Sequence, residues 1–170
     1  MKKSKCVFLD RDGVLNEDDP NYVYKVEKFV VLEGVAEALR ALKKNGYLLI
    51  VVTNQSGISL GLFSHEDVAA CHEKLQRETG HLIDAIYYSP YHPRSAESLT
   101  RKPQSLLFEK AIAKYGIDPA QSWMAGDRAR DLIPAKKLGM RTIQIGHEEN
   151  SPADFEVNSL LEGVSVILKN

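Results

Sequence analysis

Near the start of the chain, Asp10 and Asp12 stand two apart in the run Asp10-Arg11-Asp12-Gly13. In extended backbone, residues i and i+2 point the same way, so both carboxylates can face one site while Arg11 points elsewhere. Two such carboxylates repel unless a cation or a shared proton stands between them, and a hard, oxygen-seeking ion such as Mg2+ meets that need. Gly13 then lets the chain turn sharply with no side chain in the way. Alone, an Asp-x-Asp pair is weak evidence: surface loops contain it, and glycosyltransferases use it to hold nucleotide-bound metal.

Three later segments offer matching chemistry. Thr53-Asn54-Gln55-Ser56-Gly57 puts a hydroxyl before a Gly-containing turn whose N–H groups can cradle an anion, although the same residues are ordinary turn formers. Arg101-Lys102-Pro103 precedes a helix, and Lys102 is either a point charge projected into the site or one more solvated lysine. In Gly126-Asp127-Arg128-Ala129-Arg130-Asp131, Asp127 can complete a metal's oxygen shell. Asp131 either reaches the metal through a water or sits near a helix start because the helix dipole favours an acid there.

These residues need a scaffold that gathers them, and the apolar pattern provides one. Buried strands are predicted at 5–9, 47–52, 83–89, 123–125 and 141–145. Helices are predicted at 34–44, from a Ser64 cap to about 79 with Val68, Cys71, Leu75 and Thr79 inward, at 105–115 closed by Gly116, and at 129–138. Pro134 fits the last of these only near its first turn. A short tail helix is expected at 159–168. Strands apolar on both faces and alternating with helices predict a parallel α/β sheet, whose ligand site lies beyond the carboxyl ends of the strands. Asp10, Asp12, Thr53, Lys102 and Asp127 all fall at or after those ends.

Composition narrows the function classes. The 170 residues suit one domain, a core of about 5–146 with a tail, 147–170, packing on it. Apolar residues at 44% and charged residues at 26% are ordinary for a globular protein, and a net charge of −1 argues against a general nucleic-acid binder. The basic start, Met1 to Lys5, precedes an apolar run too short for a signal peptide, and no stretch is long enough to span a bilayer. Cys6 and Cys71, the only cysteines, both sit in core patterns; no structural disulfide and a reducing cytoplasm are expected. No nucleotide P-loop is present, which argues against a kinase. Neither nucleic acid nor membrane is expected as a partner, any attraction for an anionic substrate must be local, and the expected state is a monomer.

In order and in strand context, the four segments resemble the four motifs of the haloacid dehalogenase (HAD) superfamily, over residues 8–146. Phe8-Leu9-Asp10-Arg11-Asp12-Gly13-Val14-Leu15-Asn16, Tyr22-Val23, Val51 through Ile58 and Arg101-Lys102-Pro103 are similar to one branch. That branch holds the D-glycero-D-manno-heptose 1,7-bisphosphate phosphatases and the histidinol-phosphate phosphatases, with Tyr22-Val23 and Asn54-Gln55-Ser56-Gly57-Ile58 nearer the former. The resemblance implies a three-layer α/β/α Rossmann-like core with a mainly parallel five-stranded sheet. The intervals between motifs leave no room for a separate cap domain, so loops 18–26 and 91–101 are expected to choose the substrate.

The resemblance also implies a magnesium-dependent phosphomonoester hydrolase. Asp10 is the implied nucleophile, forming an aspartyl-phosphate, and Asp12 the general acid and base. Thr53 and Lys102 would bind the phosphoryl oxygens, and Asp10, Asp12 (through its carbonyl) and Asp127 the Mg2+, with Asp131 a further candidate. Asn54, Gln55, Ser56, Arg101, Arg128 and Tyr22 are candidate substrate contacts. The expected reaction removes the 7-phosphate of a heptose 1,7-bisphosphate, a small phosphorylated metabolite. The alternatives are histidinol phosphate or another small phosphomonoester and, in a different class, a binding module that kept the fold without turnover.

Two departures stand out. Arg128 occupies a position where the heptose enzymes commonly have lysine. The branch often carries a zinc loop of cysteines and a histidine just before Arg-Lys-Pro; here Ser89, Tyr91, Ser98 and Thr100 occupy the four ligand positions in a shorter loop. Hydroxyls are poor zinc ligands and His92 alone cannot hold one, so no zinc is expected. His92 is read as packing or capping its loop, and His65, His72, His81 and His147 as surface or partly packed.

Overall fold

The computed structural model describes residues 3–170; Met1 and Lys2, the first residues of the basic start, lie outside the described residues. Six strands form one sheet in the order β3-β2-β1-β4-β5-β6. They are β1 (Cys6–Leu9), β2 (Leu48–Asn54), β3 (Ala85–Ser89), β4 (Trp123–Gly126), β5 (Arg141–Ile145) and β6 (Phe155–Val157). All five neighbouring pairs are parallel. The sheet thus has one strand more than the five expected. β6 was hidden because three residues carry no readable alternation and two of them, Phe155 and Glu156, are exposed.

Period-two alternation explains the three layers. Val7 and Leu9 of β1, with Leu49 and Val51 of β2, point to one face, where they meet α1 (Val35–Lys44), α2 (His65–Glu78) and α5 (Leu160–Lys169). Cys6, Phe8, Ile50 and Val52 point to the other and meet α3 (Leu106–Tyr115) and α4 (Ala129–Lys137). Both faces are therefore dry, which is why these strands read as unbroken apolar runs. Helix ends follow the expected chemistry. Ser64 caps α2, its hydroxyl accepting from Asp67 N while the Asp67 carboxylate accepts from Ser64 N, and Gly116 closes α3 in a left-handed conformation.

One expectation fails in α4. Pro134 lies at the sixth residue of the helix, beyond its first turn, where the N–H of any other residue would bond to the Arg130 carbonyl. The helix continues nonetheless, Leu138 N bonding to the Pro134 carbonyl at 3.2 Å. Pro134 and its neighbours Leu132 and Ala135 are buried, so packing against the sheet compensates for the missing bond.

No further domain is inserted between the strands. From Asp12 to α1 the chain forms only bridges, Asp12 with Asn16 and Asn16 with Val31, and a 3-10 turn at Val26–Lys28. The strand order reverses direction at β1: β2 and β3 lie on one side of it, β4 to β6 on the other. A crevice must open where the loops leaving β1 and β4 part. Phe108 of α3, fully buried against Phe8 with ring centroids 5.3 Å apart, holds the second layer to β1 beneath that crevice. Phe108→Ala is expected to cost about 3–5 kcal/mol in urea unfolding, the range for emptying a buried aromatic site.

Candidate active site

At the floor of the crevice, Lys102 is almost completely buried. Its Nζ donates to Asp10 Oδ1 at 2.7 Å and to the Val52 carbonyl at 2.7 Å. Asp131 Oδ1 lies 2.8 Å from the same nitrogen, in a direction too poor for a hydrogen bond, so its attraction is that of an ion pair. Asn54 sets the backbone that carries this lysine: its Nδ2 donates to the Lys102 carbonyl at 3.1 Å and its Oδ1 accepts from Lys102 N at 3.0 Å. An isolated lysine here would be expelled or neutralised. Burial pulls its pKa down, but Asp10 and Asp131 outweigh burial and leave it raised, so the ammonium stays charged.

Two glycines allow the carboxylates to crowd. Gly13 has φ +81°, and a Cβ there would stand 2.7 Å from Asp127 Oδ2. A Cβ on Gly126 would stand 2.5 Å from Asp131 Cβ. Asp131 is fully buried, and its Oδ2 accepts from Arg128 N at 3.1 Å at the start of α4. One oxygen from each of Asp10, Asp127 and Asp131 lies within 4.8 Å of the others. Burial, then Asp131, push the Asp10 carboxyl up to about 6; burial, then Asp10, push Asp127 up to about 7. Three carboxylates face one buried ammonium and the half-exposed Arg128 guanidinium beside Asp127, which leaves negative charge in excess, and an oxygen-only donor set of this kind fits a hard divalent cation.

Asp12 is held from several sides. Its Oδ1 accepts from Arg11 Nη2 at 2.8 Å, Arg11 Nε at 3.1 Å and Asn16 Nδ2 at 2.9 Å, and its Oδ2 from Gln55 Nε2 at 2.9 Å. Arg11 therefore does not point away from Asp12, as alternation alone suggested; its guanidinium curls back onto the neighbouring carboxylate and is fully buried. His72, read as surface or partly packed, is buried beside it, Nε2 facing Arg11 Nη1 at 3.4 Å. Burial, then the Arg11 charge, hold its pKa down at about 3, so the ring is neutral. Arg11 was overlooked because periodicity reports where a side chain leaves the backbone, not where a long one ends.

Above these groups lies a cavity of about 320 Å³. Of the anticipated residues, Asp10, Asp12, Thr53, Lys102, Asp127, Asn54, Ser56, Arg101 and Tyr22 line it. Gln55, Arg128 and the fully buried Asp131 do not. Gln55 is buried, bonding Asp12 and also Thr53 Oγ1 at 3.0 Å, and Arg128 lies outside, 3.2 Å from Asp127 Oδ2 and 4.0 Å from Asp18 Oδ2. The loop residues Asp18, Asp19 and Val23 line the cavity, within the segment expected to choose the substrate. His92 also lines it while its Nδ1 accepts from Arg94 N at 3.1 Å, so it both caps its loop and faces the site. Arg130 lines it without having been anticipated. The available signal was its place as the second residue of a helix that starts at the site.

The raised carboxyls make stability depend on pH. Asp10 and Asp127 bind protons more tightly in the folded chain than at the ordinary value of 3.8, so their contribution is full below that value and is lost as pH rises through about 6 and 7. His72 acts in the opposite sense below its ordinary 6.5, so variants must be compared rather than one curve read. In chelator, Asp127→Asn should gain thermal stability relative to the parent chain as pH rises from about 5 to about 8, because its amide need not ionise.

Residues 99–162 match the HAD-hydrolase-like family. The chain is 40% identical to a D-glycero-beta-D-manno-heptose-1,7-bisphosphate 7-phosphatase from Haemophilus ducreyi, covering 96% of this chain and 98% of that protein. It is 38% identical to a D-glycero-alpha-D-manno-heptose-1,7-bisphosphate 7-phosphatase from Burkholderia mallei, over 99% and 90%. Its fold is similar to the crystal structure of D,D-heptose 1,7-bisphosphate phosphatase from B. bronchiseptica, complexed with magnesium and phosphate: TM-score 0.86, 26% identity, 97% and 98% covered. With identity of this level over nearly its whole length, on a parallel sheet whose switch point gathers the four motifs, the chain belongs to the haloacid dehalogenase-like phosphatases.

Proposed function

We propose that the chain removes the 7-phosphate of a D-glycero-D-manno-heptose 1,7-bisphosphate through an aspartyl-phosphate on Asp10. The observation that carries the bisphosphate reading is a second cationic feature of the cavity. Arg101 and Arg130 line it together, and the Arg101 pKa is lowered by burial and then by the Arg130 charge. Arg101 Nη1 donates to the Tyr91 carbonyl at 3.1 Å, and among the described residues neither guanidinium has a carboxylate partner. Two like charges left facing one space call for an anion beyond the one at Lys102. Histidinol phosphate would bring a cationic amine to the same place. The names of the relatives support the heptose reading and include both anomers.

In this reading Asp10 attacks phosphorus and the ester P–O bond breaks, its oxygen taking a proton from Asp12. Water then attacks phosphorus with its proton passing to Asp12, and Asp10 is released as a carboxylate. Lys102 orients Asp10 and offers its charge to the phosphoryl oxygens, together with the Thr53 hydroxyl. Asp10, the Asp12 carbonyl and Asp127 are the proposed Mg2+ ligands, with Asp131 behind them. Bound magnesium supplies positive charge where the transition state is most anionic.

We infer too that the loop before Arg101 closes without zinc. Buried Ser89 and half-buried Thr100 have hydroxyls 2.9 Å apart, and Ser98 Oγ lies 2.7 Å from Thr100 Oγ1, a hydrogen-bonded chain joining three of the four positions compared with zinc ligands. Buried free Cys6 and Cys71 support a reducing compartment, the cytoplasm. Among the described residues no helix is long and apolar enough to cross a membrane.

The substrate reading is tested by kcat/KM across a heptose 1,7-bisphosphate, the matching 7-phosphate and histidinol phosphate, with and without Arg130. The bisphosphate should lead, and Arg130→Ala should cut its kcat/KM about tenfold, the worth of one charge-assisted hydrogen bond, with a much smaller loss on the 7-phosphate. Preference for histidinol phosphate, or equal losses on both heptose esters, would contradict it.

A further inference from the structure

The Asp12 carboxylate is held unevenly. Oδ1 accepts three hydrogen bonds, two from Arg11 and one from Asn16, whereas Oδ2 accepts only the 2.9 Å bond from Gln55. A carboxyl oxygen has two lone pairs, so Oδ1 has no place for a proton and Oδ2 has one. Arg11 is itself fixed: Nη2 also donates to the Val23 carbonyl at 2.7 Å, the guanidinium lies 5.4 Å from the Phe29 ring centroid, and Nη1 faces His72 Nε2. Because arginine only donates, His72 must present Nε2 as acceptor and carry its proton on Nδ1. The ring is packed against Tyr88, centroids 5.7 Å apart. An apolar side chain would fill this space at lower cost than a buried guanidinium, so packing alone does not account for Arg11.

We propose that Arg11 is a positioning residue for acid–base transfer: with Asn16 and neutral His72 it locks Oδ1, so that Asp12 gives and takes its proton through Oδ2 alone. In the first step that proton leaves Oδ2 for the ester oxygen as the P–O bond breaks; in the second, Oδ2 recovers one from the attacking water. Through the Val23 carbonyl the same guanidinium ties the proton donor to the loop that lines the cavity. The inference rests on the phosphatase reading above, with Asp12 as acid and base.

Leaving groups separate this role from a structural one. An alkyl phosphate such as the heptose ester needs its leaving oxygen protonated, whereas p-nitrophenyl phosphate releases p-nitrophenolate, a stable anion that needs no proton to leave. Arg11→Gln should lower kcat/KM, which reports the step that breaks the ester bond and not the shared hydrolysis of the aspartyl-phosphate, at least about tenfold on the heptose ester and less than about threefold on p-nitrophenyl phosphate. Arg11→Lys, keeping one donor to Oδ1, should recover part of the alkyl rate. Should Arg11→Gln not fold, Asn16→Ser and His72→Gln decide, with the same selectivity at smaller amplitude. Equal losses on the two substrates in the folded variants would overturn the proposal. Asp12→Asn run in parallel separates the two levels: if its own loss ignores the leaving group, the acid–base reading of Asp12 falls; if only the Arg11, Asn16 and His72 variants ignore it, Arg11 alone loses its role.

Discussion

Lys102 is buried between Asp10 and Asp131, and the electrostatics of the site follow from that contact. Removing one partner of such a buried pair costs about 3–5 kcal/mol, because the other charge is left uncompensated. The Val52 carbonyl, at the end of β2, accepts the ammonium's second hydrogen bond, beside that to Asp10, and fixes it relative to the sheet. Burial and the neighbouring carboxylates outweigh Lys102 and the Arg128 guanidinium, however, so Asp10 and Asp127 remain raised and the cluster retains a demand for positive charge. A chain folded only for stability has no reason to keep that imbalance in its interior.

The sheet is arranged so that this imbalance can exist. Asp10 follows β1, Asp127 follows β4, and Lys102 is brought over from the loop after β3 by the side chain of Asn54. The parting of the loops at β1 leaves room above, and Gly13 and Gly126 remove the atoms that would keep Asp127 and Asp131 away. Apolar packing on both faces of β1 makes this floor rigid, so the carboxylates cannot relax apart.

Much of this was legible in the residues. The strands announced themselves as apolar runs because both faces of the sheet are covered, and Ser64 and Gly116 marked helix ends through capping chemistry that needs no tertiary context. Asp10, Asp12, Thr53, Lys102 and Asp127 fell at strand ends, and the fold brings them to one cavity. Other features depended on information a pattern does not carry. β6 is too short to alternate, and Pro134 survives in the second turn of α4 because burial there compensates for a lost bond. Arg11, Gln55 and His72 act where their long or ring side chains end, which only the packed structure decides. Arg130 gained meaning only once Arg101 was seen to face the same space.

Asp10 is therefore the centre of the account: buried, oriented by Lys102, and opening onto a cavity whose lining includes Lys102, Arg101 and Arg130 among several carboxylates. The most direct test is rapid acid quench during turnover of a heptose 1,7-bisphosphate with magnesium present, followed by mass analysis of the peptides. The account predicts one phosphoryl group on the peptide carrying Asp10, accumulating before steady state and absent in Asp10→Asn. Phosphate release with no phosphoryl group on Asp10 at any quench time, or with one on a different residue, would contradict it.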